Sequence, residues 1–564
     1  MPRLDSGSVF GRLLDVERGG YCRITPTTEA RTSRRYLEST LVLETSFVTG
    51  EGEVRLLDCF TMHRGGREQP HRQLLRVIEG VRGMVELEAR VAPRFNFGEA
   101  LPWIRDHRKG VFTAIGGSEA VVISGDLALE IEGKHDLATT VSVQEGQRLR
   151  LSLVFAEPED IDPEPQHVPD IRELDRRLDE TVAWWRRWSG SARATGPYAR
   201  AVLRSGIVLK GLTQARTGAI AAAATTSLPE VLGGGRNWDY RLSWVRDSTW
   251  AVRSMADLGH EAEADGFRRF VERSSAGHAI ELQVVFGLGG ERRLTEVELD
   301  WLDGYRGSRP VRVGNEAARQ RQNDTFGELL EQAWRWQERG HTHDDEYWEF
   351  LVELVEGAAE RWREPDRGIW ESRDGNEHFV HSKVMCWAAL DRGLRLAGAS
   401  GRNVPRERWE DVRDEIREAV ESQGYDKDRG VFVRIFGDRE LDGALLLLPQ
   451  VDFVDWKDER MVRTANAIRE DLERDGLVYR TPPEGGREQE GAFLACSFWL
   501  AECLAHQGRS QEATEVFEQA CETMNDLGLF AEEFDPRTGE MLGNFPQALT
   551  HLSHISAALS LVGR

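Results

Sequence analysis

Residues 234–247, Gly-Gly-Arg-Asn-Trp-Asp-Tyr-Arg-Leu-Ser-Trp-Val-Arg-Asp, crowd three arginines, two aspartates and three aromatic side chains into one short stretch. That set suits a sugar ring, whose C–H faces stack on indole while its hydroxyls need donors and acceptors side by side. A polar turn capping a helix would draw on some of the same residues, because Gly-rich turns often precede helices. Two glutamates elsewhere add a reaction. Glu371 follows Trp370, an indole that limits solvation and raises a carboxyl pKa, and Arg373 is close by. Glu532 opens Glu-Glu-Phe-Asp at 532–535. An acid that protonates the leaving oxygen and a facing carboxylate that activates water or attacks carbon are the minimum machinery of glycoside hydrolysis. Glu371 is the candidate acid and Glu532 the candidate base.

These residues need elements to bring them together. Up to about residue 165 the pattern favours strands: Tyr36–Phe47, Glu53–Thr61, Gly83–Val91, Val121–Ser124, Leu127–Ile131 and Leu149–Phe155 are short runs bounded by Gly, Asp and Pro. Such spacing predicts an antiparallel β-sandwich. The Pro-rich, acidic stretch 157–170 marks a boundary. A polar helix with Trp184, Trp185 and Trp188 follows, expected to be a connector packed against both neighbours. The expected division is a sandwich over 1–165, a linker and connector helix over 166–196, and a helical domain over 197–564.

From 197 the period is helical. Twelve helices are predicted, beginning near Tyr198, Trp244, Glu261, Asn315, Asp344, Phe379, Arg406, Leu441, Arg460, Gly491, Gln511 and Pro546. The odd ones carry a charged face, as in Arg406–Ser422, and the even ones are apolar nearly all round, as in Ala492–Ala505 and Ala548–Val562. Six amphipathic helices alternating with six buried ones predict an outer ring around an inner ring, an (α/α)6 barrel. The unusual loops all precede even helices. Inner helices of such a barrel run parallel, so Trp244, Arg246, Asp247, Trp370, Glu371, Arg480 and Glu532 should surround one cavity.

Composition narrows the partners. The 564-residue chain has 96 acidic and 73 basic residues, a net charge of −23, with no polybasic tract, which argues against nucleic acid and anionic membranes. No apolar run approaches 18 residues and no export signal opens the chain, so a cytoplasmic protein is expected. The six cysteines show no C-x-x-C pairing and are read as buried free thiols rather than disulfides or zinc ligands. His551 and His554, at i and i+3, lack a patterned Glu or Cys and are assigned to a pocket wall or a core hydrogen bond. No cofactor or metal is expected, the partner is a small-molecule substrate, and a homo-oligomer is left open.

Seven ordered motifs carry a resemblance: 234–241 with Trp244-Val-Arg-Asp247, 290–296, 304–315, Gly368-Ile-Trp-Glu371, His381–Trp387, Glu490–Trp499 and Glu532–Gln547. Together they resemble family-15 glycoside hydrolases, in particular the bacterial trehalase and glucoamylase branch, over nearly the whole chain. The resemblance implies a β-sandwich joined to an (α/α)6 barrel and exo-acting, inverting hydrolysis of α-glucosides. It places the general acid on Glu371 and the base on Glu532, with Glu533 as the near alternative. Trp244, Arg246 and Asp247 inherit the terminal-glucose pocket, and Arg480 resembles an arginine that binds glucose hydroxyls. Asp239 is expected to brace the loop. Trehalose is preferred as substrate over maltodextrins; a sugar phosphorylase and an inactive glucan-binding protein are the rival readings. The chain departs from the family at Leu4, where Phe is common, and at Gln322-Asn-Asp-Thr-Phe-Gly327, where relatives tend to have Gln-Leu-Asp-Val-Tyr-Gly. The second departure bears on the outer pocket.

Overall fold

In the computed structural model, residues 2–161, 165, 168–275, 279, 282–373, 375–482 and 490–563 are described. Asp162, Pro163, Glu164, Gln166 and His167 of the boundary stretch lie outside them, as do Pro483, Glu484 and Gln489 before the tenth predicted helix. The chain forms two compact units. One holds Met1–Ala192 with Leu299–Val311 and Asn525–Gly528; the other holds Arg193–Glu298, Arg312–Met524 and Leu529–Arg564.

The first unit is antiparallel β. Its strands are β1 (Tyr21–Pro26), β2 (Arg31–Tyr36), β3 (Leu43–Val48), β4 (Gly52–Phe60), β5 (Gln73–Ala92), β6 (Trp103–Asp106), β7 (Phe112–Gly116), β8 (Glu119–Gly125), β9 (Glu130–Glu132), β10 (Asp136–Gln144) and β11 (Arg148–Ala156). They pair in the order β2-β3-β4-β5-β11-β8-β7-β6, while the far half of β5 pairs with β1 and β10. The long β5 therefore belongs to two layers. Their facing sides, with Val54, Leu56, Ile78 and Leu151 from one and Ile24, Leu87, Val91 and Leu137 from the other, make a single dry core. Helix α1 (Ile171–Ser189) lays Leu174 and Leu178 on the outer face against Leu57, Leu75 and Val77. Asp170 caps it by accepting from the Glu173 backbone N–H at 2.8 Å.

The expected strand Tyr36–Phe47 is split: residues 37–42 form the corner after β2, which ends at Tyr36, and from Leu43 on the segment is strand β3. The alternation that marks a half-buried strand is missing from β2, Arg-Thr-Ser-Arg-Arg-Tyr, because it is an exposed edge.

The second unit is a double ring of helices. The inner elements are α3 (Val245–Asp257), α5 (Asp324–Glu338), α7 (Val380–Ser400), a 3₁₀ segment Gly443–Val451, α10 (Leu494–His506) and α12 (Ala548–Leu561), each packed on the next and the last on the first. Outside lie α2 (Ala199–Leu212), α4 (Glu261–Ser275), α6 (Asp345–Arg361), α8 (Arg406–Gln423), α9 (Glu459–Leu472) and α11 (Ser510–Cys521). This is the (α/α)6 barrel. Two inner elements differ from expectation. The fourth predicted helix starts at Asp324, because Asn315 caps only a short 3₁₀ turn and Gln320 is extended. The eighth is 3₁₀, with Pro449 inside it.

Inner helices approach closely. A Cβ on Gly327 would stand 2.2 Å from the Met385 carbonyl oxygen, so any side chain there forces α5 off α7, a cost of about 1–3 kcal/mol. His551 and His554 are core residues: Ser205 Oγ lies 2.8 and 3.1 Å from their Nδ1 atoms, and the Phe530 N–H donates to His551 Nε2 at 3.2 Å. The cysteines are free thiols, four of them buried.

Below the barrel's entrance end, Glu328 is buried on α5 and accepts from Trp250 Nε1 at 2.7 Å. Burial, and then the neighbouring Asp324, push its carboxyl from 4.5 up to about 8. The folded chain holds this proton more tightly than the unfolded chain, so stability falls as pH rises from the ordinary carboxyl range through about 8. Thermal unfolding should drop in midpoint between pH 5 and 9, and Glu328→Gln should flatten that drop, as measured by circular dichroism melts.

Candidate active site

The N-terminal ends of the six inner elements frame a cavity of about 660 Å³. Trp244, Arg246, Asp247, Trp370, Glu371, Arg480 and Glu532 all line it. At its floor Arg246 is buried in the first turn of α3. Its Nε donates to Asp247 Oδ1 at 2.9 Å, its Nη1 to the Ile369 carbonyl at 2.7 Å, and its Nη2 lies 3.8 Å from Glu371 Oε1. One side chain thus ties the helix to the loop that bears Glu371.

That loop, 368–373, is held from several sides. Glu371 has φ = 57°, a left-handed conformation that costs a residue with a Cβ about 1–2 kcal/mol and is found where surrounding contacts over-determine it. Trp244 Nε1 donates to its Oε1, and Gln320 Nε2 donates to its carbonyl at 3.2 Å. Trp370 is turned the other way: its Nε1 donates to Asp442 at 2.8 Å, and its ring lies 5.0 Å from Phe493 and 5.9 Å from Trp499. Burial raises the Glu371 pKa, Asp247 adds to the rise, and Arg246, Trp244 and Gln322 oppose it. A raised pKa is compatible with a general acid, and Glu371 is placed on the cavity wall.

Glu532 faces the cavity from another wall, accepting from the Tyr240 hydroxyl at 2.8 Å. Its Oε2 lies so near Gly543 that a Cβ there would stand 2.6 Å away, and Gly543 has φ = 75°. Glu533 points elsewhere, as successive residues along an extended segment do. Its carboxylate accepts from the Gly491 N–H at 2.9 Å and lies 4.0 Å from Arg480 Nη2. Burial first, then Glu230 and Glu533, push the Glu532 carboxyl up, against Arg480 and the Tyr240 hydroxyl. Glu533 is pushed up to about 8, by burial and then by Glu230. With so many carboxyls close together, they cannot all ionise readily.

Reading the sequence missed Glu230. This buried residue lines the cavity and accepts from Arg480 Nη2 at 3.1 Å. It stands in Leu-Pro-Glu-Val-Leu, where no local pattern marks it. Tyr240 lay inside the aromatic stretch, but its partner is hundreds of residues away. Asp239 braces the loop, accepting from Arg241 at 2.8 and 2.9 Å and from the Gly314 N–H at 3.0 Å.

The departure at 322–327 does not shape the outer pocket. The departing residues Asn323, Thr325 and Phe326 are buried and do not line the cavity, while Gln322, where the chain keeps the family residue, bonds Gln320 at 3.2 Å. Among the described residues, one acidic group has the geometry for a cation: oxygens of Glu230, Glu490 and Glu533 lie within 4.8 Å of one another. Arg480 Nε already donates to Glu490 at 2.7 Å, and Arg236 pairs with Glu490 and Glu230, so two guanidiniums offset part of the charge of these three carboxyls.

Residues 196–559 match the family described as glycosyl hydrolases family 15, and residues 1–179 match the one described as trehalase-like, N-terminal. The chain belongs to glycosyl hydrolase family 15. Among curated relatives, the trehalase of Mycobacterium tuberculosis is 37% identical over 100% of this chain and 86% of its own length. That of Mycolicibacterium smegmatis is 38% identical over 100% and 87%, and that of Thermoplasma volcanium 33% identical over 100% and 89%. A bacterial glucoamylase solved in complex with acarbose has the same fold, with a TM-score of 0.72 at 11% identity over 97% of this chain and 86% of that one.

In this family-15 glycosidase, removing the negative neighbour Glu230 should ease ionisation of Glu532. Glu230→Gln should therefore move the acid-side rise of hydrolytic activity to lower pH, read from kcat/KM against pH; an unmoved limb would separate Glu230 from the titration of Glu532.

Proposed function

We propose that this glycosidase is an inverting, exo-acting α-glucosidase whose substrate is trehalose. The supporting observation is the pair Glu371 and Glu532 on separate walls of one cavity, with Arg246 and Asp247 on its floor. The curated relatives named trehalase, aligned along the full length of this chain, support the choice of substrate.

The terminal glucose is bound by Arg246 and Asp247 against the Trp244 wall, with Arg480 donating to its hydroxyls. Glu371, as the acid, gives its proton to the glycosidic oxygen as the bond from C1 to that oxygen breaks. Water attacks C1 from the opposite face and passes a proton to the Glu532 carboxylate. Tyr240 orients that carboxylate. Trp370 acts through packing, holding the acid loop to Asp442 and Phe493. The attacked ring leaves as β-glucose and the other, whose own anomeric bonds are untouched, as α-glucose. Glu532 returns the proton to solvent and Glu371 regains one.

The same reading takes the enzyme as cytoplasmic, acting on a small α-glucoside as a monomer or homo-oligomer. Free thiols fit a reducing compartment. No helix among the described residues is long and apolar enough to cross a membrane. The glucoamylase fold match keeps maltodextrin as the second substrate reading.

Trehalose, maltose and maltotriose should be assayed side by side, with proton NMR of the first-formed products. Trehalose should be the best substrate and should give α- and β-glucose in equal amounts. α-Glucose alone would overturn inversion, preference for maltotriose would overturn the substrate, and glucose 1-phosphate formed only with phosphate would overturn hydrolysis. Glu371→Gln should lower kcat by about 10²–10⁴-fold, the usual range for loss of a positioned proton donor.

A further inference from the structure

We propose that Trp238 and Arg373 form the binding wall for the leaving glucose and so select the substrate. This rests on the proposed reaction, in which Glu371 protonates the oxygen between the two rings. The terminal ring lies against Arg246 and Asp247, both deeply buried, so the leaving ring extends past Glu371 toward the mouth. Trp238 and Arg373 are what it meets there: both line the cavity, Arg373 is two residues beyond the acid, and its side chain is 41% exposed.

The two side chains are built into one unit. The Arg373 guanidinium stands 3.8 Å from the centre of the Trp238 ring, and that of Arg312 stands 4.6 Å from it. Glu296 fixes both arginines. It takes Arg373 Nη1 and Nη2 at 3.2 and 2.8 Å and faces Arg312 Nε at 3.4 Å. Arg312 in turn donates to the Gly235 carbonyl at 2.8 Å, three residues before Trp238. A guanidinium fixed this way loses little entropy on binding and offers planar donors to hydroxyls, and the indole beside it presents an apolar edge. Residues from three separate loops thus hold this pair at the cavity wall. A leaving ring is what such an amphipathic wall would recognise.

α-D-Glucosyl fluoride separates this site from the rest of the machinery, since its leaving group is fluoride and no second ring exists. Arg373→Ala and, separately, Trp238→Phe and Trp238→Ala should be compared with wild type on trehalose and on the fluoride. Loss of one or two charge-assisted hydrogen bonds predicts a fall in kcat/KM of about 30-fold or more for Arg373→Ala on trehalose. The fluoride should change by less than threefold, with Trp238→Phe milder than Trp238→Ala on trehalose. Equal losses on both substrates, or none on trehalose, would overturn the assignment while leaving the hydrolase reading intact. Wild-type turnover of the fluoride but not of trehalose would overturn the trehalose reading; maltose then replaces trehalose in the same comparison, judged by the same two outcomes. Wild type inert toward all three would overturn both.

Discussion

A guanidinium taken out of water must find its partners in the protein, and in the cavity of this barrel Arg246 finds them on two elements. Asp247 belongs to its own helix, whereas the Ile369 carbonyl and Glu371 belong to a loop more than a hundred residues away. Leaving that charge unpaired would cost several kcal/mol, about 3–5 for one partner lost. The loop that bears Glu371 is therefore pinned against the first inner helix. Glu371 sits in left-handed backbone there because Trp244, Arg246 and Gln320 all hold it. Strain in one residue is offset by contacts from three.

The barrel supplies the frame for that arrangement. Six inner elements enter from one end, so loops distant in sequence face each other across a short gap. Close packing keeps the gap constant: Gly327 lets α5 touch the backbone of α7, and Gly543 admits the Glu532 carboxylate beside its own backbone. Around Glu532, the surroundings work in the opposite electrical sense from those around Arg246. Arg246 draws carboxylates toward a positive charge, whereas Glu230, Glu532 and Glu533 crowd negative ones about Arg480. The two carboxyls thus sit in unlike surroundings within one cavity, Glu371 beside a positive charge and Glu532 among negative ones.

Much of this was readable from residue order. Apolar-all-round segments such as Leu494–His506 mark inner helices because only complete burial tolerates them, and the loops ahead of such segments gave the cavity's residues. What escaped had physical reasons. The edge strand Arg31–Tyr36 shows no alternation since neither face is buried. The inner segment Gly443–Val451 has the composition of a buried helix, but its Pro449 and tight turn are settled by neighbours. Glu230 and Tyr240 acquire meaning only through partners brought by folding, Arg480 and Glu532, which no local window contains. The departure at 322–327 pointed to the outer pocket, yet its Asn323 is buried, and burial at a helix entrance is a tertiary property that no local motif states.

The closing contact of the inner ring joins its first element, Val245–Asp257, to its last in sequence, Ala548–Leu561. Translation delivers these two at widely separated times, with Glu371 emerging between them and Glu532 only shortly before the second. A growing chain thus holds Glu371, the proposed proton donor, long before it holds Glu532, the proposed base. Until the last inner helix docks, the half-made ring leaves apolar side chains of its inner elements uncovered. The topology that makes the pocket deep also makes catalysis the last property the chain acquires.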